Sequence, residues 1–397
     1  MTDLQRLAAK PERVIVGTMS GTATDGYDMA LTRISGTGAS MRVEVIASSS
    51  VPLPGELVKG IYAMYPPNRR SMRRVLELGL RLAEQHAAWI TEFVQQQNLS
   101  LEDVDLIAYH GIALYHGSRD RGRMPGQLEL GDPAVIAERT GCTVVAQLRT
   151  RDIAAGGEGA PLSPYCDWVL FRDDTIGRAV QNIGGIANVT GLKPGATLQD
   201  VIAFDTGPGN IVLDAMVSLW SNGREHFDKG GEIAARGTVN QALLSELMET
   251  PFVRRPLPKS TGREVFGDRF VGALMERGTQ LGLRFEDALA TATAFTAETI
   301  AYHYDRFLAP RFRIDEVIIG GGGQHNQTLI RMLRERLAPI PVRMHGEFGI
   351  DGDIREAVYW AMLANETIQG QPANVPSVTG ASRPVVLGHI IPGRPRG

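Results

Sequence analysis

The chain has 397 residues, of which 43% are hydrophobic and 21% are charged, and its formal net charge is −3. This composition excludes an intrinsically disordered chain, and without a basic field neither nucleic acid nor an anionic membrane is expected as a partner. A chain of this length is too long for one ordinary core, so we expect two domains and a small-molecule partner.

The cysteine content and the N-terminal residues both favour a cytoplasmic protein. Only Cys142 and Cys166 are present, which is too few for a disulfide framework or a four-thiolate zinc site. Residues 1–13 carry several charges and no apolar run of signal-peptide length. No other segment approaches the ~20 apolar residues that a membrane-spanning helix requires. We therefore expect a soluble, cytoplasmic chain.

The first half of the chain begins with a predicted hairpin. Apolar, β-rich runs at residues 14–17 and 27–34 flank a loop that contains glycine. A long helix is predicted over residues 71–97, and it leads to an apolar strand at residues 105–111. The apolar positions that recur at helical spacing in that helix are Leu78, Leu82, Trp89 and Phe93.

The second half repeats this order. Strand-like runs at residues 179–183 and 186–190 form a second predicted hairpin around a Gly-Gly turn. A helix is predicted over residues 285–308, followed by an apolar strand at residues 315–321. The helical spacing there is carried by Ile300, Tyr304, Phe307 and Leu308.

The repeated order predicts two duplicated α/β lobes, with ligands in the cleft between them at the carboxyl ends of strands. The polar run at residues 172–175 precedes the second hairpin. It places an N-terminal lobe at residues 1–176 and a C-terminal lobe at residues 177–397. The tail from about residue 370 is rich in glycine and proline, so we expect irregular chain or an extension that packs back on the first lobe.

Four glycine-rich segments, each after an apolar strand, predict a nucleotide site. Glycine lets backbone N–H groups approach phosphate, and nearby hydroxyls add donors. The third segment leads into a predicted helix whose N-terminus would add partial positive charge. No lysine follows the spacing of a Walker loop, and each segment alone is also typical of a tight turn. The four segments are residues 19–26, 182–188, 205–210 and 320–323.

Two acidic residues, Asp25 and Asp205, lie inside these segments. A carboxylate beside phosphate groups usually holds Mg²⁺, directly or through water, or acts as a base toward the acceptor. The pattern alone leaves both roles open for each residue.

Nine segments, in one order over nearly the whole chain, resemble the anhydro-N-acetylmuramic acid kinase family. Their number and order make the resemblance specific. They are residues 17–22 with 25–26, 127–132, 159–162, 182–188, 205–210, 259–264, 321–323, 356–357 and 376–381.

The resemblance implies the actin and hexokinase fold, with two ribonuclease H-like lobes whose cleft closes on ATP, Mg²⁺ and an anhydrosugar, in a homodimer. In that family water opens the 1,6-anhydro ring at C1 while O6 takes the γ-phosphoryl group of ATP. By motif match Asp205 is the catalytic base and Glu356 the second catalytic carboxylate. Asp205 could instead only hold Mg²⁺, and Glu356, which opens a predicted helix, could instead only favour the helix N-terminus.

We predict the following further site residues. ATP is expected to contact Ser20, Gly21, Thr22, Ala23, Thr24, Asp25, Gly26, Tyr27, Asp28, Asn182, Gly184, Gly185, Asn188, Thr206, Gly207, Gly209, Asn210, Gly321, Gly322 and Gly323. The sugar is expected to contact His110, Arg149, Asp152 and Glu158, and the metal ion Asp25 and Asp205.

The chain also departs from the family pattern. Gln147 replaces a carboxylate, Ile112 and Ala113 replace two polar residues, Glu158 replaces an amide, and residues 358–360 replace an Ala-Phe-Ala run. These changes spare the glycine-rich segments, so we expect altered recognition of the sugar. The competing hypotheses are a kinase for another anhydrosugar such as levoglucosan, a nucleotide hydrolase or acetyl-carboxylate kinase of the same fold, and an ATP-binding protein without turnover.

Overall fold

The computed structural model describes residues 3–20, 26–64, 71–117 and 125–394. Its strands are β1 (Glu12–Ser20), β2 (Gly26–Ser35), β3 (Arg42–Pro52), β4 (Leu106–Tyr109), β5 (Ile112–Gly117), β6 (Gly126–Leu130), β7 (Thr143–Ala146), β8 (Arg178–Ile183), β9 (Ile186–Leu192), β10 (Ile202–Pro208), β11 (Glu316–Gly320), β12 (Val342–Met344) and β13 (His389–Ile391). Its α-helices are α1 (Asp3–Ala9), α2 (Gly55–Tyr62), α3 (Met72–Gln96), α4 (Pro133–Thr140), α5 (Thr150–Ala154), α6 (Ser163–Phe171), α7 (Asn210–Trp220), α8 (Glu232–Ala235), α9 (Gln241–Met248), α10 (Pro251–Arg254), α11 (Arg263–Phe266), α12 (Asp268–Gln280), α13 (Phe285–His303), α14 (Gln327–Leu337), α15 (Arg355–Ile368) and α16 (Pro376–Thr379). Among the helices of these ranges, none combines the length and apolar character needed to cross a membrane.

The chain divides into two units. The first contains Met1–Val169 together with Ile354–Gly397, and the second contains Leu170–Asp353. Residues 354–397, which the sequence analysis assigns to the C-terminal lobe, thus group with the first unit. The reason is packing, because α15 lies against β1, β2 and β4.

The first unit is built on a six-stranded sheet with the order β3-β2-β1-β4-β7-β13. Strands β1, β2 and β3 pair antiparallel, whereas β4 and β7 run parallel to β1. Strand β13 adds an antiparallel edge, and β5 and β6 form a separate two-stranded ribbon. The antiparallel hairpin followed by parallel strands leaves the ends of β1 and β4 on the same edge of the sheet.

The second unit repeats this arrangement in five strands with the order β10-β9-β8-β11-β12. Strands β8, β9 and β10 pair antiparallel, and β11 and β12 run parallel to β8. The first five strands of the two sheets therefore have the same order and the same directions. The predicted α/β fold with two duplicated, ribonuclease H-like lobes of the actin and hexokinase class is confirmed.

The predicted elements are also confirmed one by one. Both hairpins form, as β1–β2 and β8–β9, and both long helices form, as α3 and α13. A π-helical segment, Tyr304–Leu308, continues α13 to the end of its predicted range. Helix α3 begins where the sequence places it because the Ser71 side chain accepts a hydrogen bond from the Arg74 N–H.

The apolar faces of these helices fill the cores. In the first unit, Ala83, Ile90 and Phe93 of α3 pack with Val16 and Ile107 of the sheet. In the second unit, the buried face of α13 and that of α14 cover the sheet formed by β8 to β12. Packing of these helices against the sheets forms the cores of both units.

Candidate functional site

Three loops of the second unit lie together at the ends of β8, β10 and β11. The backbone N–H groups of Gly209 and Ile211 donate to the carbonyl oxygen of Gly185 at 2.9 and 3.1 Å, and the N–H of Asn210 donates to that of Gly184 at 2.8 Å. These bonds fix the loop after β10 onto the β8–β9 turn. The loop after β11 lies against the same turn, since Gly321 packs closely against it.

The glycines in these loops are required by close approach. A Cβ atom at Gly209 would lie 2.1 Å from the carbonyl oxygen of Gly184. Gly321 has φ +82°, and its Cβ would lie 2.4 Å from Asn182 Oδ1. A Cβ at Gly323 would lie 2.3 Å from a methyl carbon of Ile183. Any larger residue would force the three loops apart.

The N-terminus of α7 does not offer its first N–H groups to a phosphate. The helix begins at Asn210, as predicted, but the N–H groups of residues 209–211 are the three that donate to Gly184 and Gly185. The partial positive charge that the sequence analysis expects at this helix end stays a prediction. The loop residues with exposed or half-buried surface are Gly184, Gly185, Asn210, Gly321 and Gly322.

Asp205 lies at a β-bulge near the end of β10. The register with β9 shifts between Asp205 and Gly207, and Asp205 is half-buried. Its Oδ2 atom accepts a hydrogen bond from the backbone N–H of Thr261 at 2.8 Å. The bulge turns the chain toward the glycine-rich loop, so the carboxylate is held beside the loops that the sequence assigns to ATP.

Two residues predicted to contact ATP, Thr206 and Asn188, are hydrogen-bonded to the buried side chain of Gln181. The side chain of Thr206 is fully buried, and its hydroxyl accepts from Gln181 Nε2 at 3.3 Å. The same nitrogen donates to the backbone oxygen of Asn188 at 2.9 Å, and Gln181 Oε1 accepts from the hydroxyl of Tyr304 at 2.9 Å. Gln181 thus ties β8, β9 and β10 together beneath the loops, and Thr206 supports the loop rather than lining its surface.

The donor set of the second unit fits Mg²⁺ as this ion usually binds in kinases. Mg²⁺ takes one or two carboxylates and completes its octahedron with water and substrate phosphates. Asp205 has a carboxylate beside the loops, which is the type of ligand that Mg²⁺ prefers. Within the described ranges no group of three or more His, Cys, Asp or Glu side chains forms a metal cluster. Asp25 lies outside these ranges.

The first predicted phosphate loop is only partly within the described residues. Residues 21–25 lie outside them, which covers the predicted positions Gly21, Thr22, Ala23, Thr24 and Asp25. Ser20 ends β1, and Gly26, Tyr27 and Asp28 begin β2. The Tyr27 ring is buried and stacks on His86 with ring centroids 3.9 Å apart. Its side chain therefore belongs to the core of the first unit.

A buried polar cluster in the first unit brings together two of the residues predicted to bind the sugar. The His110 ring meets the Trp360 ring edge to face with centroids 5.0 Å apart, and the Arg149 guanidinium lies 4.9 Å from the Trp360 ring centroid. His110 Nε2 is 3.6 Å from Glu129 Oε1. We call His110, Glu129, Arg149 and Trp360 the polar cluster. Glu356 lies one turn before Trp360 on α15.

Burial sets the charges in the polar cluster. It raises the pKa of Glu129 to about 7, and the positive charge of Arg149 acts against this rise. Burial, helped by the Arg149 charge, lowers the pKa of His110 to about 3, so His110 is neutral. Burial also lowers the pKa of Arg149 from its ordinary value, while the charges of Glu129 and Glu356 raise it.

Several polar atoms of the polar cluster are buried and unbonded. Nδ1 and Nε2 of His110 and Nε1 of Trp360 have no hydrogen-bond partner among the described residues. Both residues are 3% exposed. Buried polar groups of this kind are rare in folded proteins and usually face a bound molecule or water. The cluster is therefore suited to a ligand that carries both donors and acceptors, such as a sugar.

The other two predicted sugar contacts lie in a neighbouring network. Asp152 is fully buried, and its carboxylate accepts from Asn374 Nδ2 and Thr379 Oγ1, each at 2.7 Å, and from the N–H of Gly159 at 2.9 Å. The N–H of Glu158 donates to the Thr379 carbonyl oxygen at 2.8 Å. The contacts of Asp152 join residues 152–159 to the tail of the chain, which gives this carboxylate a structural role.

Sequence reasoning missed Glu129, Gln181 and Trp360 as residues of the site. The available signal for Glu129 was its position in one of the nine family-like segments. Gln181 is a fully buried polar residue of β8. Only the fold shows which side chains these residues meet, because their partners are distant in sequence.

The structure shows the surroundings of Ile112 and the backbone conformation of Gln147, two of the departures from the family pattern. Ile112 is fully buried and packs with Leu57, Leu78 and Leu130, so its apolar side chain contributes to the core. Gln147 has φ +58°, a left-handed conformation that is uncommon outside glycine. It lies two residues before Arg149, where it shapes the turn that leads Arg149 to Trp360.

Comparisons with known proteins assign the chain to a family. The duplicated sheets define an α/β protein of the actin and hexokinase class. A family model described as anhydro-N-acetylmuramic acid kinase matches residues 13–393, and the chain belongs to this family. A relative with that name from Caldanaerobacter subterraneus subsp. tengcongensis is 42% identical over 394 residues, covering 98% of this chain and 100% of the relative.

Further comparisons extend to other bacteria and to solved structures. A relative with the same name from Bacillus thuringiensis subsp. konkukian is also 42% identical, over 379 residues, covering 95% of this chain and 98% of the relative. Among solved structures, component A of the (R)-2-hydroxyglutaryl-CoA dehydratase of Acidaminococcus fermentans aligns with a TM-score of 0.43 at 14% identity, covering 90% of this chain and 99% of that one. This likeness is too distant to add to the assignment.

Proposed function

We propose that the protein converts 1,6-anhydro-N-acetylmuramic acid, ATP and water to N-acetylmuramic acid 6-phosphate and ADP, in the recycling of cell-wall peptidoglycan. The observation that carries the proposal is the position of Asp205, whose carboxylate is held by the Thr261 N–H at the bulge beside three interlocked glycine-rich loops. Phosphoryl transfer requires positioning and charge neutralisation, which such loops supply. Attack of water on an anomeric carbon requires a carboxylate base.

The bonds that change can be stated atom by atom. Asp205 takes a proton from water, and the water oxygen forms a bond to C1 of the sugar as the C1–O6 bond breaks. O6 then forms a bond to the γ-phosphorus, and the bond from that phosphorus to the bridging oxygen of ADP breaks. In this proposal, Glu356 is the second carboxylate and orients the water or the sugar.

ATP is proposed to bind the exposed and half-buried loop residues of the second unit. The surface formed by Gly184, Gly185, Asn210, Gly321 and Gly322 has no side chain larger than that of asparagine, so phosphate groups can approach the backbone closely. Mg²⁺, when bound, neutralises charge on the phosphates, and Asp205 and Asp25 are its proposed protein ligands. The predicted residues of the first phosphate loop keep this role as a proposal.

We propose that the polar cluster binds the sugar and contributes to its recognition. The unbonded nitrogens of His110 and Trp360 can pair with hydroxyl or acetamido groups, and the Arg149 guanidinium can meet a carboxylate. The backbone of Glu158 is fixed nearby. We propose that the departures at Gln147, Ala113 and Glu158 weaken or alter recognition of the lactyl and acetamido groups relative to other family members.

The cellular setting is proposed from the composition and the family. A chain with few cysteines and a small net negative charge suits a reducing compartment and a small-molecule substrate. We infer a cytoplasmic enzyme that forms a homodimer and binds neither nucleic acid nor membrane.

The test is ADP release from ATP and Mg²⁺ in the presence of anhydro-N-acetylmuramic acid, anhydro-N-acetylglucosamine or levoglucosan, followed by product mass. We expect release that depends on the anhydrosugar and a product heavier by one phosphoryl group (HPO₃) and one water. In ¹⁸O-labelled water the new oxygen should be labelled. ADP release without sugar would identify a nucleotide hydrolase, and no release with any sugar would identify an ATP-binding protein. A higher kcat/KM for levoglucosan would assign the other anhydrosugar, and a large preference for the muramic sugar would contradict weakened recognition.

A further inference from the structure

Lys259 is a buried lysine of the second unit, and it is 5% exposed. The proposed chemistry does not use its side chain. Its ammonium nitrogen lies 2.7 Å from the carbonyl oxygen of Phe252, 3.4 Å from that of Val253 and 2.5 Å from Nε2 of His303. It also lies 4.1 Å from the centroid of the Phe252 ring. An ammonium has three N–H donors, and three acceptors surround this one.

His303 completes the environment of the lysine and is fully buried. Its Nδ1 lies 2.5 Å from the carbonyl oxygen of Thr299, which can only accept a hydrogen bond, so Nδ1 carries the ring proton. The lone pair of Nε2 then faces the ammonium of Lys259. Burial and the neighbouring lysine charge lower the pKa of His303 to about 4, which keeps the ring neutral.

The same segment holds Asp205 at two points. The backbone N–H of Asp205 donates to the carbonyl oxygen of Lys259 at 3.4 Å, and the N–H of Thr261 donates to Asp205 Oδ2 at 2.8 Å. His303 is also connected to the chain beside Asp205. It bonds to the carbonyl oxygen of Thr299, and the Thr299 side chain packs against Gly207. A Cβ atom at Gly207 would lie 2.8 Å from Thr299 Oγ1.

We propose that Lys259 and His303 are positioning residues for Asp205. The lysine side chain anchors its own backbone to Phe252 and His303, and that backbone fixes the main chain and the carboxylate of Asp205. The inference rests on the proposed role of Asp205 as the base. Because a displacement of about 1 Å can cost about 100-fold in rate, the loss of this anchor is expected to reduce kcat strongly.

The test compares Lys259→Met, Asp205→Asn and the double variant, using kcat and KM for ATP with the anhydrosugar that gives turnover. Lys259→Met keeps the apolar stem and removes the donors, so we expect kcat about 10 to 100-fold lower with KM for ATP nearly unchanged. In the Asp205→Asn background the lysine change should have little further effect, because both act through one group. Lys193→Met, which removes an exposed ion pair with Asp200, is the matched control and should keep wild-type kcat.

The outcomes separate the two proposals. If Asp205→Asn keeps full turnover, the proposed function of that residue is wrong. If Asp205→Asn loses turnover while Lys259→Met keeps wild-type kcat, or if the two losses multiply, the positioning role is wrong. Should Lys259→Met not fold, His303→Gln retains an acceptor for the lysine. It should then retain activity within about fivefold, whereas His303→Leu should match the loss expected of Lys259→Met.

Discussion

The carbonyl oxygen of Ala357 lies against the backbone of Gly17, so that a Cβ atom at Gly17 would be 1.9 Å from it. Gly17 is in β1 and Ala357 is in the first turn of α15, next to Glu356. This close approach seats the start of α15 on the sheet of the first unit. Packing therefore explains why glycine stands at position 17, the start of the first family-like segment.

Gly17→Ala should destabilise the protein because the added methyl group must displace the first turn of α15. We expect a loss of about 3 kcal/mol in the free energy of unfolding, at the upper end for overpacking, and a lower kcat from a displaced Glu356. Denaturant unfolding and kinetics would measure both. Gly272→Ala in α12 is the matched control, since its Cβ would meet nothing within 4 Å, and alanine there should stabilise the helix slightly.

Glu129 should make binding of an anionic sugar depend on pH near neutrality. Its pKa is raised to about 7 by burial, so the carboxyl is neutral below that pH and negative above it. The muramic sugar carries a carboxylate, so its KM should rise several-fold between pH 6 and pH 8. Levoglucosan is neutral and should not show this rise.

Glu129→Gln is expected to remove the pH dependence of KM for the muramic sugar, because the amide keeps the shape and cannot ionise. The measurement is a set of steady-state profiles between pH 6 and pH 8 for both proteins. An unchanged slope in the variant would show that another group titrates. A matched control is Glu276→Gln, at an exposed position of α12 outside the polar cluster.

The sequence predicted the fold because the duplicated signals are local. The hairpin at β8 and β9 is marked by a Gly-Gly turn between two β-rich runs, and α3 is marked by its apolar periodicity and by Ser71 at its start. What the sequence placed less well was the stretch from residue 354 onward. Helix α15 packs against β1, β2 and β4 of the first sheet, and periodicity does not reveal such contacts between segments distant in sequence.

The sequence indicated the glycine-rich loops of the candidate site. It did not indicate the residues that hold these loops and Asp205 in position. Glycine-rich segments after strands indicate close backbone approach, and the structure brings three of them together. The hydrogen bonds from the N–H groups of Gly209, Asn210 and Ile211 to Gly184 and Gly185 were not predictable, because these partners are distant in sequence. Lys259 and His303 are 44 residues apart, and no pattern in the chain pairs them.

Asp152→Asn should loosen the tail from the first unit. Both carboxylate oxygens accept hydrogen bonds, from Asn374, Thr379 and the Gly159 N–H, so an amide NH₂ in either orientation would face a donor. We expect a loss of about 3 kcal/mol in stability and faster proteolysis after about residue 370. Asp174→Asn, at an exposed position, is the control. Wild-type stability and the same cleavage rate would contradict this structural role.

Asp214→Asn should stabilise the protein at alkaline pH and not at acidic pH. Burial within the second unit raises the pKa of Asp214 from 3.8 to about 7. Below about pH 4 the carboxyl is protonated in the folded and unfolded states, so its ionisation costs nothing. As the pH rises toward 7 the unfolded state gains from ionisation while the folded state does not, and this loss is complete above 7.

The rise in the pKa of Asp214 corresponds to at most about 4 kcal/mol at pH 8. The neutral amide avoids that loss, so the difference in unfolding free energy between the variant and the wild type should grow from near zero at pH 4 to a few kcal/mol at pH 8. Denaturant unfolding at both pH values measures it. A gain of equal size at the two pH values would indicate better packing by the amide, because only ionisation of the carboxyl produces a difference that appears as the pH rises.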